Sequence, residues 1–397
     1  MTWVSPQVFE SAKLGPVTLR NRIIKAATFE GVMPDGLVSD ALIDFHRRVA
    51  SGGVGMTTVA YLAVSPEGRT DRHCIFLRPE ALPGLRQLTE AVHEDGAAVA
   101  AQIGHAGPVA NSRSNKTPSL APSNGFSPMG TRLRGVTEHD IARITEDYRN
   151  AATMVLDAGF DSIEIHLGHN YLLSAFLSPK LNKRADQWGG SLENRARFPR
   201  RVAEVVREAV GDRIAVTAKL NMADGVPGGF WLDESVEVAR MLQADGNLDA
   251  LELTGGSSLA NPMYLFRGEV PLREFAATLP PAIRVGFRLL GKRFMPYYPF
   301  EEAFFLPYAR QFRDALDMPL ILLGGVNRLD TIEQAVDNGF DFVAMARALL
   351  REPDLVNKMR KGVASESLCI HCNKCMPTIY RGTRCVLNPG VLLDPVH

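Results

Sequence analysis

Eight short, β-rich segments alternate with eight longer stretches of helical period, and this alternation restricts the fold of the 397-residue chain more than any other feature. Strands are expected at residues 22–28, 54–61, 97–103, 161–166, 214–220, 250–254, 320–323 and 342–346. Several are nearly continuous apolar runs, the pattern of parallel strands covered on both faces. Helices are expected between and after them at residues 40–51, 82–94, 138–158, 194–210, 234–243, 301–316, 331–338 and 349–361, several stopped by a glycine such as Gly52, Gly96, Gly159 or Gly339. Eight β–α units joined by right-handed crossovers predict an α/β fold of the closed (β/α)₈ TIM-barrel type. An open doubly wound sheet fits less well, because no glycine-rich dinucleotide fingerprint follows the first strand.

The barrel is assigned to residues 1–362 and a Cys-rich extension to residues 363–397. Two stretches exceed an ordinary barrel loop: residues 104–136 after the third strand, and an aromatic-rich insertion, 255–300, after the sixth. Both lie on the side where barrel active sites are built. The insertion reads as a covering unit with its own small core, as a wall of the substrate cavity, or as both. With 44 Lys+Arg against 44 Asp+Glu, the chain lacks the basic excess of a nucleic-acid binder. No apolar run approaches the ~20 residues of a membrane span. The opening residues, Met1 to Pro6, show no secretory signal, so a cytoplasmic location is expected. Five cysteines in such a chain do not suggest a disulfide framework.

The C-terminal ends of the strands converge on one mouth and carry Ala26-Ala27-Thr28, Ala60-Tyr61, Gln102, His166 with His169, Lys219, Thr254-Gly255-Gly256, Gly324-Gly325 and Ala346-Arg347. Gly324-Gly325 and Ala346-Arg347 follow strands seven and eight, where barrels bind phosphate through backbone N–H groups and a helix N-terminus. Glycine permits close approach, and Arg347 adds a bidentate donor. A tight turn beside a surface arginine is the plainer alternative. His166 and His169 could be metal ligands, buried polar residues, or donors to a substrate oxyanion. Lys219 beside a cation is unfavourable, and a donor pair with Tyr171 as proton donor is the better fit. Lys219 itself has two readings, a Schiff-base lysine or a positive charge beside a cofactor that becomes anionic on reduction.

The run His166-Leu167-Gly168-His169-Asn170-Tyr171, followed by Phe176-Leu177-Ser178-Pro179 and by Trp188-Gly189-Gly190-Ser191-Leu192-Glu193-Asn194-Arg195, resembles the old yellow enzyme family. Gln102-Ile103-Gly104-His105-Ala106-Gly107 and Asn21-Arg22-Ile23-Ile24 extend the resemblance over most of the chain. It implies an FMN barrel that takes hydride from NAD(P)H and reduces an activated C=C bond in a small unsaturated carbonyl compound. Ala26, Ala27, Thr28 and Tyr61 would then lie against the flavin, Gln102 would bond its pyrimidine edge, and Lys219 would face N1/O2. Gly324, Gly325, Ala346 and Arg347 would hold the phosphate. His166 and His169 would polarise the substrate carbonyl, and Tyr171 would protonate the α-carbon. Relatives often form homo-oligomers. Asn170 departs from the family pattern, where glycine is usual, and Phe29 occupies a position where relatives often carry Cys or Thr. Dehydrogenase, desaturase or amine dehydrogenase chemistry in the same superfamily is the alternative. A colourless lyase using Lys219, or a flavin protein that only carries electrons, fits the motif block poorly.

Cys369, Cys372, Cys375 and Cys385 crowd into 17 residues. Their spacing resembles, in shortened form, the iron–sulfur segment of 2,4-dienoyl-CoA reductases. An iron–sulfur cluster, a zinc ion, or free thiols are the three readings.

Overall fold

The computed structural model describes residues 7–388 except 129 and 280. Eight parallel strands close into a barrel: β1 (Ile23–Lys25), β2 (Met56–Ala63), β3 (Ala98–Gly104), β4 (Ser162–Leu167), β5 (Ala215–Asn221), β6 (Ala250–Thr254), β7 (Leu320–Leu323) and β8 (Phe342–Met345), with β8 pairing back onto β1. The predicted (β/α)₈ barrel is therefore present. Helices α1 (Asp40–Ser51), α2 (Leu82–Glu94), α3 (Glu138–Asp157), α4 (Leu192–Val210), α5 (Leu232–Asp245), α6 (Leu306–Ala315), α7 (Leu329–Asp337) and α8 (Arg347–Arg351) surround it. Their starts are written locally: Ser39 accepts from Leu42 N ahead of α1, and Thr137 and Asp140 form a reciprocal capping box on α3. The helix expected over 349–361 is broken by Pro353 into α8 and a separate turn, Leu355–Arg360.

A hairpin, Ala12–Leu14 with Val17–Leu19, contributes Leu14 and Leu19 to an apolar plug that includes Ile24, Met56, Ala100, Ala215, Ala250, Ile321, Phe342 and Ala344. Polar side chains occupy the inward positions above that plug. The loop after β3 carries a small three-stranded sheet (Ser119–Ala121, Gly125–Phe126, Arg132–Gly135). The insertion after β6 folds into three short helices, Met263–Phe266, Leu272–Thr278 and Pro281–Phe294. Its core unites Met263 and Met295 with Phe266, Phe275, Phe287, Phe294 and Tyr298, and borrows Met376 from the C-terminal segment.

That segment is sewn to the barrel mouth. Glu269 N donates to His371 O at 3.1 Å, the Asn373 amide donates to the carbonyls of Arg267 and Glu269 at 2.8 and 2.9 Å, and Lys374 pairs with Glu274 at 3.2 Å. Thr383 N donates to Glu30 O at 2.7 Å, which ties the segment to the loop after β1. Residues 389–397 of the expected extension lie outside the described residues. Among the described residues no helix is long and apolar enough to cross a membrane.

Candidate active site

Strand register sets the order of the inward side chains. Lys219 on β5 pairs with His166 on β4 and with Glu252 on β6, Asn221 pairs with Thr254, and Glu164 pairs with Gln102. Reading upward from the apolar plug, the barrel therefore presents a charged layer and then the histidines at the mouth.

In the charged layer, Lys219 Nζ lies 3.0 Å from Glu164 Oε1 and also bonds Glu252, and Gln102 Nε2 donates to Glu164 Oε1 at 2.6 Å. All four are buried. Such an ammonium stays charged because two carboxylates outweigh its desolvation, and its pKa is raised above the ordinary lysine value. Lys25 on β1 is buried as well; it donates to Thr28 Oγ1 at 2.6 Å, and burial brings its ammonium down to about 8.

The turn after β4 holds His169 and Asn170 at φ of +59° and +60°. Two successive left-handed residues account for Asn170, since asparagine after glycine tolerates that region best. His169 N donates to Asn221 Oδ1 at 3.0 Å, and Asn170 N to Ser174 Oγ at 3.2 Å. Asn221 is steadied in turn by the buried carboxylate of Asp224, which also accepts from Ser178 Oγ at 2.7 Å and from Phe230 N at 3.0 Å.

The rings of His166 and His169 meet edge to face with centroids 5.1 Å apart, and the Tyr171 ring lies 4.4 Å from His166. His169 Nε2 is 3.0 Å from Thr254 Oγ1, and its Nδ1 is 3.4 Å from His166 Nε2. Both nitrogens of His169 are thus engaged, whereas His166 Nδ1 is buried with no hydrogen-bond partner. Burial and then the Lys219 charge bring His169 down to about 3; burial, His169 and Lys219 push His166 well below its usual value, so both imidazoles are neutral at pH 7. Tyr61 bonds Gly68 O through its hydroxyl and sets its ring 5.5 Å from that of Tyr171. Gly104 makes the approach possible, because a Cβ there would sit 2.9 Å from the Tyr61 ring.

Gly324 and Gly325 follow β7 at φ of +116° and +78°, and a Cβ on either would strike the rings of Phe305 and Phe304. Ala346 and Arg347 follow β8 as expected. The Arg347 guanidinium, however, turns toward the C-terminal segment: it donates to Arg267 O at 3.0 Å and to Asn373 Oδ1, and it lines the same small cavity as Cys369, Cys372, Cys375 and Cys385. The four cysteines therefore line one cavity, beside a cation. Burial pushes the Cys375 thiol up to about 12 and raises Cys369 also. His371 lies between two of the cysteines and stacks flat on Phe300, with centroids 3.4 Å apart. Among the described residues no group of three or more His, Cys, Asp or Glu side chains is arranged to hold a metal ion.

Glu252, Asn221 and Asp224 went unrecognised in the sequence reading, although Glu252 and Asn221 share strand parity with Thr254 and Lys219. That parity was the available signal.

Residues 7–251 match the NADH:flavin oxidoreductase / NADH oxidase family. The chain is 62% identical over 390 residues to the 4,4'-dithiodibutanoate disulfide reductase of Rhodococcus erythropolis, covering 98% of this chain and 97% of that one. A 2-naphthoyl-CoA reductase complex superposes with a TM-score of 0.82 at 25% identity, over 97% of this chain but only 57% of its own length. The old yellow enzyme homologue of Zymomonas mobilis shares the fold with a TM-score of 0.74 at 21% identity, over 92% of this chain and 96% of that one. The chain belongs to the NADH:flavin oxidoreductase / NADH oxidase family and is an FMN-dependent NAD(P)H oxidoreductase on the barrel of old yellow enzyme.

Proposed function

We propose that this enzyme delivers the two electrons it receives from NAD(P)H to an activated C=C bond conjugated to a carbonyl. The observation that carries this reading is the unpartnered imidazole nitrogen His166 Nδ1, buried beside Tyr171. The residues present would suit FMN: Gln102 and Lys219 for the pyrimidine edge, Ala26, Ala27, Thr28 and Tyr61 against the ring, and the backbone of the Gly324-Gly325 turn and of Ala346-Arg347 for the phosphate, the Arg347 guanidinium itself being turned to Arg267 O and Asn373. When bound, FMN supplies hydride transfer in both directions.

Every other part belongs to the chain. The hydrogen-bond partners give a consistent tautomer assignment: the Thr254 hydroxyl donates to His169 Nε2, His169 Nδ1–H donates to His166 Nε2, and His166 Nδ1–H is left to donate to the substrate carbonyl. A neutral donor suits an oxygen whose negative charge develops only as hydride reaches the β-carbon. Tyr171 then gives a proton to the α-carbon, so that NAD(P)H, a proton and the alkene become NAD(P)⁺ and the saturated product. Replacing Tyr171 by Phe should slow reoxidation of the reduced enzyme by cyclohexenone in anaerobic stopped flow, with reduction by NAD(P)H largely intact. Equal reoxidation rates in the two proteins would refute the proton-donor role.

A second reading, favoured by the 62% identity to the Rhodococcus disulfide reductase, makes the acceptor a small organic disulfide that is cleaved to two thiols. The same donors would then protonate the departing thiolate. Parallel reoxidation with cyclohexenone and with 4,4'-dithiodibutanoate, following flavin absorbance and free thiol, separates the two. Turnover of the disulfide alone would replace the alkene assignment.

We assign the four cysteines to an iron–sulfur cluster, with zinc as the alternative. Support comes from all four cysteines lining one cavity and from Arg347 alongside, which would offset the negative charge of a thiolate-ligated cluster once the side chains close on it. Anaerobically purified protein should contain iron and acid-labile sulfide, both lost on Cys375→Ser. Stoichiometric zinc without iron would favour the alternative.

A further inference from the structure

A lone lysine would be enough to attract the negative charge that reduction places on a flavin, yet Lys219 is bracketed by two carboxylates. Glu164, Lys219 and Glu252 have side chains only 4%, 2% and 1% exposed. With both carboxylates ionised the triad carries one negative charge, and with one proton added it is neutral. The two carboxylates differ in support: Glu164 also accepts the Gln102 amide at 2.6 Å, which favours its ionised form, whereas Glu252 has Lys219 and Glu164 as its polar neighbours. Other charges facing the triad are Lys25 from β1 and, beyond it, Glu30, paired with His46 at 3.1 Å. His166 and His169 lie above it and are neutral.

We propose that Glu252 is a redox-linked proton acceptor: when the flavin held over Lys219 gains a negative charge, the Glu252 carboxylate binds one proton from solvent. This rests on Lys219 being the neighbour of the flavin pyrimidine. The balance is simple. Hydride leaves NAD(P)H with two electrons and its own proton and bonds to the flavin, whose charge falls by one. That charge competes with Glu252 for Lys219, and a carboxylate losing its counter-ion in a buried site binds a proton. The proton is released when the acceptor reoxidises the flavin. Burial, followed by the Glu164 carboxylate, already holds the Glu252 carboxyl above its ordinary range, against the pull of Lys219. Glu252 acts through Lys219 and is therefore a positioning residue for the flavin charge.

The test uses the holoenzyme. Anaerobic reduction by one equivalent of NADH in weakly buffered solution, read with a pH indicator, should show uptake approaching one proton per flavin on the alkaline side of neutrality. Electrode titration of the same protein should show two protons per two electrons there. Glu252→Gln should abolish the uptake and leave one proton per two electrons, and Glu252→Asp should restore part of it. Absence of uptake in the wild-type enzyme at any pH overturns the proposal without need of a variant. So does uptake that persists in Glu252→Gln and vanishes in Lys25→Met. Lys219→Met should shift the flavin potential. If it does not, the placement of the flavin fails; if it does while Glu252→Gln still takes up the proton, the placement stands and the role of Glu252 falls.

Discussion

His166→Ala is expected to slow the reoxidation of the reduced enzyme by an enone ~10²–10³-fold, the usual cost of one preorganised donor to a developing oxyanion. FMN content should be unchanged, because the ring of His166 meets His169 and Tyr171 and bonds none of the side chains assigned to the flavin. The argument runs through the neighbours. In His166→Ala the Nδ1–H of His169 loses its partner but is kept aimed at the vacated ring position by the Thr254 bond on Nε2, so it does not take over the contact made by His166 Nδ1. Thr254→Val should therefore reproduce part of the defect without touching substrate, by releasing the tautomer of His169. The wild-type reoxidation rate should also show no step near 6.5, the ordinary imidazole pKa, because both rings are held neutral far below it. An ionisation step in that range, lost in His166→Ala, would mean that the working donor is a charged imidazolium.

How far this site could be read from sequence differs by residue. The barrel was legible because its strands are apolar runs closed by polar residues at one end, and residues at strand ends must converge. His166, Lys219 and Gln102 were found by that rule alone. The flanking motif from Trp188 to Arg195 marked the family, yet its chemistry is structural: Arg195 is buried, bonds Leu177 O and pairs with Glu234, fixing the short helix that follows Tyr171 to α5. Glu252 is legible only by following its parity with Thr254 back along the strand Ala250–Thr254, and its partner Lys219 emerges only from the register between strands. The turn of Arg347 toward the cysteines was also hidden. It depends on Asn373 and Arg267, which lie 26 and 80 residues away and meet Arg347 only after the C-terminal segment docks on the insertion.

Asp224→Ala is expected to cost about 3 kcal/mol or more of stability, together with much of the reoxidation rate. Asp224 is fully buried and accepts from Ser178 Oγ, Phe230 N and Asn221 Nδ2 at 2.7, 3.0 and 2.9 Å. Alanine would leave three buried donors unpaired, each worth roughly 1–3 kcal/mol, offset in part by any water that enters. The kinetic effect follows from Asn221, whose Oδ1 accepts from His169 N and whose side chain would lose one of its two anchors, keeping only Gly256 O at 2.9 Å. Asp224→Asn retains one acceptor oxygen and removes a carboxylate that burial makes costly to ionise, so it should fall between alanine and wild type in both readouts. Denaturant unfolding measures the first and anaerobic reoxidation the second. If Asp224→Ala lost stability yet reoxidised at the wild-type rate, the left-handed turn at His169-Asn170 would be shown to hold its geometry without Asn221, and catalytic placement of the histidines would have to be credited to β4 and Thr254 alone.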